Sequence, residues 1–114
     1  MKKTRFLSSL LLLVLAFMLM IPMVNAAGDD VVYRVPVHKE VEKGLHAYME
    51  RAFKEAKENG ADVIVLDIHT PGGSVEAVEE IATLMDSSEI KVIAYINAKA
   101  LSAGAFIALH ADEI

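Results

Sequence analysis

The sequence predicts an α/β fold built on a parallel sheet, and three observations carry that prediction. Short β-branched runs alternate with stretches of helical periodicity three times in succession. The second of those runs, ADVIVLDI at residues 61–68, holds four consecutive apolar residues with no alternation, as a parallel strand covered on both faces does. Loops rich in small residues, HTPGGS at 69–74 and NAKAL at 97–101, follow the second and third runs. Connections of this kind are right-handed, so helices pack on a sheet of parallel strands.

Taken in order, VVYRVPV at residues 31–37 is the first strand, with Pro36 marking an edge position or a strand end. From Val41 the spacing changes: Val41, Leu45, Tyr48, Ala52 and Ala56 recur at threes and fours, with Met49 and Phe53 broadening the stripe. Asn59-Gly60 stops this helix. The second strand covers residues 61–68, and Ser74 is placed to cap a second helix with apolar positions Val75, Val78, Ile81, Leu84 and Met85. KVIAYI at 91–96 is the third strand and SAGAFIALH at 102–110 a third helix. Another strand is expected to begin at Asp112-Glu113-Ile114, so the sheet looks unfinished and the chain reads as part of a longer protein.

The first 26 residues stand apart. MKKTR is followed at residues 6–24 by an uncharged apolar run, and Val24-Asn25-Ala26 supplies the small residues a signal peptidase reads. Residues 1–26 are therefore a signal peptide or an N-terminal membrane anchor, with 27–30 a spacer and 31–114 the folded part; either way the folded part is expected outside the cytoplasm. Setting aside Lys2, Lys3 and Arg5 leaves 8 of the 11 basic side chains against all 16 acidic ones. That balance gives no electrostatic case for binding nucleic acid. The chain has no cysteine, which excludes disulfides and thiolate metal sites, and its four histidines have no ligand spacing. No metal or cofactor is implied.

In a parallel α/β sheet, ligands bind at the carboxyl ends of the strands, and both HTPGGS and NAKALSAG leave that edge. One loop offers backbone N–H groups bare of side chains. The other offers Ser102 at a helix start, where the dipole favours developing negative charge. A hydroxyl beside preorganised amides is what acyl transfer requires, with Gly73 and Ala103 N–H groups as the oxyanion donors. Each candidate has a plainer account. Ser102 fits a helix N-cap; Gly72 and Gly73 fit a turn; Lys99 fits a solvated loop charge; His69, the candidate substrate contact beside Gly72, fits an exposed strand end. Asp67 reads as a structural carboxylate reaching a neighbouring backbone amide. His38 and His46 are placed towards the opposite end of a strand–helix unit, and His110 closes the third helix.

The stretches GLHAYMERAFKEAKENGADVIVLDIHTPGG and AYINAKALSAGAFIALHADEI resemble the N-terminal part of the NfeD family of membrane-bound serine proteases, relatives of ClpP. The resemblance runs from residue 32 to 114. It implies a ClpP/crotonase-like fold, Ser102 as catalytic nucleophile, an oxyanion hole at Gly73 and Ala103, and a lysine as general base. It also implies membrane protein substrates, stomatin-like partners and a homo-oligomer in the full-length form. The family's lysine lies a few dozen residues past the serine motif, whereas twelve residues follow Ser102 here. The 114 residues alone are therefore expected to be inactive. Two other readings compete: a non-catalytic scaffold of the same fold, and a crotonase-like acyl-CoA enzyme, which the acidic charge and the export signal disfavour.

Overall fold

The structure, a computed structural model, describes residues 1–19 and 28–114. Helix α1 (Lys2–Leu19) is followed by β1 (Val32–Val41), α2 (Lys43–Glu58), β2 (Val63–Gly73), α3 (Val75–Asp86), β3 (Lys91–Ala100) and α4 (Ala103–Leu109). The three strands form one parallel sheet in the order β1-β2-β3. No described helix is long and apolar enough to cross a membrane. The predicted cleavage position at Ala26 or Ala27 lies outside the described residues.

One face of the sheet makes the core. Val35 and Val37 from β1, Ile64, Leu66 and Ile68 from β2, and Val92 and Ala94 from β3 are each at most 2% exposed. They join Met49 and Phe53 of α2, Ile81 of α3 and Ile107 of α4 in a single cluster. Ala56, Ala77 and Ala108 are buried too, small enough to let the helices close on the strands. The alternate positions tell a different story. Val63 and Val65 are half-buried, and Val32 and Tyr95 are more than half exposed. The expectation of a strand covered on both faces is therefore corrected: the described residues cover one.

Each strand runs further than its composition suggested. Val41 ends β1 instead of opening α2, because it is buried and registered with Gly73. Pro36 lies within β1, tolerated because, among the described residues, that strand has a neighbour on one side only. HTPGG is the end of β2 rather than a free loop, and NAKA belongs to β3. Helix α2 stops as expected: Gly60 takes φ 68°, and Ala61 N–H donates to the Ala56 carbonyl in a Schellman arrangement. Ser74 caps α3 by accepting the Ala77 N–H at 3.3 Å. Beyond α4, Glu113 bridges in parallel to Ile93, and its carbonyl accepts the Ala94 N–H at 2.8 Å, so residues 112–113 begin to pair with the outer edge of β3.

Leu66 lies in the central strand and is fully buried, so Leu66→Ala should destabilise the fold by about 2–5 kcal/mol, read as a lower denaturant midpoint at unchanged slope.

Candidate active site

Both ladders of the sheet lose register at the end of β2. Against β1, the pairing steps from His38↔His69 to Glu40↔Gly72. Against β3, it steps from Ile68↔Ile96 to Thr70↔Ala100. The backbone groups freed by these steps need other partners. Thr70, with no exposed surface, supplies them: its hydroxyl donates to the Lys39 carbonyl and accepts the Gly72 N–H at 3.1 Å, while its own carbonyl accepts the Leu101 N–H at 3.1 Å.

Leu101 leads into the Ser102 turn. Gly104 N–H closes that turn on the Leu101 carbonyl at 2.8 Å, and Ser102 has φ 50° and ψ −117°, the first central position of a type II′ turn. A non-glycine residue there carries strain of about 1–3 kcal/mol. The Ser102 side chain makes no capping hydrogen bond and its residue is exposed, so the N-cap account of this serine does not hold, in contrast to Ser74. Ala103 N–H lies in the first turn of α4, where no carbonyl of the same helix reaches it.

The glycines are explained by close approach. A Cβ on Gly72 (φ 103°) would lie 2.9 Å from both the Leu101 carbonyl oxygen and Ser102 Cβ, and 3.3 Å from Ala103 N. A Cβ on Gly73 would lie 2.1 Å from the Val41 carbonyl oxygen, and one on Gly104 2.4 Å from Thr70 Cγ2. The fold thus brings Gly72, Ser102 and Ala103 together, while Gly73 is packed on its β1 side against Val41.

His69 stands slightly apart. With His38, Lys39, Pro71, Asn97 and Lys99 it lines an open cleft of about 480 Å³ whose walls do not include Ser102. Contrary to the expectation from sequence, His38 is not at the opposite end of its strand–helix unit: register puts it beside His69, with the rings edge to face at 6.2 Å between centroids. His46 instead lies 3.4 Å from Glu80, between α2 and α3, and His110, the C-cap of α4, lies 3.2 Å from Asp86. Asp67 does not reach a backbone amide. Fully buried, it pairs with Arg34 and lies 3.3 Å from His38 Nε2, while its Oδ1 accepts no hydrogen bond among the described residues. The Arg34 guanidinium holds the Asp67 carboxyl below its ordinary value of 3.8, outweighing the burial that pushes it up.

Composition alone would not reveal Thr70 or Arg34 as partners at this edge. The one available signal was a threonine directly before Pro-Gly-Gly, a hydroxyl where the backbone is about to leave its ladder.

A parallel sheet with helices on one face, and a strand–serine turn–helix beside a glycine-rich strand end, has the ClpP-like α/β fold. ClpP1 from Listeria monocytogenes superposes with a TM-score of 0.66 at 24% identity, over 69% of this chain and 46% of that one, a likeness of fold alone. The 1510-N membrane protease specific for a stomatin homolog from Pyrococcus horikoshii gives a TM-score of 0.67 at 28% identity, over 74% of this chain and 44% of that one. The chain belongs to the family described as NfeD1b, N-terminal domain, which matches residues 31–114. It is 51% identical over 88 residues to the membrane protein NfeD1b of Bacillus subtilis (strain 168), covering 77% of this chain and 20% of that protein. To the membrane-bound protease PH1510 of Pyrococcus horikoshii it is 29% identical over 90 residues, covering 76% of this chain and 20% of that protein. The chain thus spans about a fifth of the length of these relatives.

Two measurements check the geometry. Gly72→Ala should cost about 2–4 kcal/mol, since the new methyl meets backbone at positive φ, and the loss is read by thermal unfolding. The Arg34–Asp67 pair fixes a pH dependence: a depressed carboxylate pKa contributes stability above the unfolded value near 3.8, lost as pH falls through the folded value. Arg34→Met should therefore lower the melting temperature at neutral pH, with the gap to the parent closing in acid.

Proposed function

We propose that this chain is the N-terminal part of a membrane-associated serine endopeptidase with Ser102 as nucleophile. The observation that supports the reading most is the Ser102 turn, an exposed and uncapped hydroxyl on a backbone at φ 50° and ψ −117°. Strain of this kind persists only where the surroundings enforce it, and it is the backbone of a nucleophile held at a strand-to-helix turn. In this mechanism Ser102 Oγ attacks the scissile carbonyl, and the N–H groups of Gly73 and Ala103 hydrogen-bond the developing oxyanion. Gly72 N–H is turned inward to Thr70, so Gly72 serves by contact and close approach rather than as a donor. His69, in the adjoining cleft, contacts substrate. Collapse of the tetrahedral intermediate breaks the scissile C–N bond and expels the amine, which takes the proton that the general base removed from Ser102. Water then hydrolyses the acyl-enzyme, releasing the carboxylic acid and restoring the serine hydroxyl.

No side chain among the described residues hydrogen-bonds Ser102 Oγ. In this reading the general base is a lysine supplied from beyond Ile114. Residues 1–26 act as signal or anchor and put the domain on the outer side of the membrane, and the full-length protein is a homo-oligomer. Its substrates are hydrophobic segments of membrane proteins. Stomatin-like proteins are the first to try, because the 1510-N membrane protease of Pyrococcus horikoshii is specific for a stomatin homolog. A second reading, which the unbonded Ser102 hydroxyl among the described residues favours, takes this segment as a scaffold or assembly module.

A fluorophosphonate probe separates the two when applied to this chain, to its Ser102→Ala variant and to the full-length protein. Labelling of the full-length form that disappears with Ser102→Ala, and none on the 114 residues, is the expected result. Labelling of the short chain would make Lys99 or His69 the base. No labelling of either would leave the scaffold.

A further inference from the structure

Thr70 is a buried side chain whose polar and apolar ends both touch backbone that frames the serine turn. Its hydroxyl donates to the carbonyl of Lys39, the residue left over where β1 loses register and itself at φ 66°. The same oxygen accepts the Gly72 N–H, its carbonyl accepts the Leu101 N–H, and its methyl occupies the space a Cβ on Gly104 would need. Two strained non-glycine residues, Lys39 and Ser102, therefore sit on either side of one threonine.

These contacts divide into two kinds. The Leu101 N–H bond uses backbone, which any residue at 70 would supply. The bonds to Lys39 and Gly72 use the hydroxyl, which valine, of the same shape, cannot make. Without them a part-buried carbonyl and a buried N–H lose their partner, and the Gly72 backbone is free to turn. Gly72 is also the residue packed against Leu101 O and Ser102 Cβ, so a rotation there is transmitted directly to the serine turn.

We propose that the Thr70 hydroxyl is a positioning group for Ser102: by holding Lys39 and Gly72 across β2, it fixes the Gly72 surface on which the strained serine turn rests. The inference rests on Ser102 being the reacting group. It adds a residue that never meets substrate and whose removal alters reactivity through geometry alone. It also settles the division of labour in the glycine pair, since the Gly72 N–H belongs to Thr70.

The test is the rate of fluorophosphonate inactivation on the full-length protein, comparing the parent, Thr70→Val and Thr70→Ser, with Ser102→Ala to identify the labelled residue. Thr70→Val should slow the maximal inactivation rate by about tenfold or more with the probe's apparent affinity within about twofold, and Thr70→Ser should restore it to within about threefold. Thr70→Val labelling at the parental rate would overturn the proposal. If Thr70→Val fails to fold, Thr70→Ser decides: near-parental labelling supports the hydroxyl, and loss of labelling with an unchanged melting temperature overturns it in favour of the methyl. If the parent takes no label, the protease reading has failed, and the structure of Thr70→Val answers instead. A Ser102 φ returned to negative values supports the positioning role; an unchanged turn overturns it.

Discussion

The constraint on which the carboxyl edge of this sheet depends is that β2, paired on both sides, slips register in both ladders at nearly the same place, after His69 against β1 and after Ile68 against β3. A central strand cannot simply fray where its residues are buried, as Thr70 and Gly72 are, because peptide groups released there need protein partners. Here the released groups are taken up locally: the Lys39 carbonyl and Gly72 N–H by one hydroxyl, the Leu101 N–H by one carbonyl. That solution pulls three backbone segments into contact, and the contact distances leave no room for a Cβ at Gly72, Gly73 or Gly104. The Pro-Gly-Gly stretch is thus the steric result of how β2 ends, and the bare backbone beside Ser102 follows from it.

The two faces of the sheet divide the physics. The helix-bearing face holds the described core, with alanines at Ala56, Ala77, Ala94 and Ala108 letting elements approach closely and β-branched or leucine side chains filling the strands. The other face carries Arg34, Asp67 and His38, and it buries a carboxylate rather than a hydrocarbon. Only the carboxylate of this pair is buried, Arg34 being largely exposed, and removing Arg34 leaves that buried charge without its main partner. The pair therefore pins β1 to β2 in one register near the same edge that holds the serine turn.

Much of this was legible in the residues, for identifiable reasons. The stripe of Met49, Ala52, Phe53 and Ala56 announces α2 because a helix buries every third or fourth position, and Asn59-Gly60 and Ser74 mark ends whose geometry is local. The convergence of Pro71-Gly72-Gly73 with Ser102 follows from strand order alone. What the sequence hid is non-local. Val41, the HTPGG stretch and NAKA have no period-2 pattern and are held in strands by partners some thirty residues away. His38 was misplaced by ending β1 at Val37, one residue before the register that puts it beside His69. Asp67 gave no sign of whether an amide or a guanidinium would meet it, because its partner Arg34 is on another strand. Thr70 lies in a stretch that reads as a loop from composition, and its role exists only once two ladders slip together.

The backbone at Ser102 has a consequence for which side chains the turn can carry. Serine and threonine present the same oxygen to a carbonyl, and by reactivity alone either would serve. At φ 50° they are no longer equivalent, since a β-branched residue at positive φ forces its second branch against its own main chain. The turn therefore admits an unbranched side chain and excludes its branched homologue before any question of chemistry arises. The geometry acts as a sieve for shape at residue 102, and between the two it favours serine over threonine there.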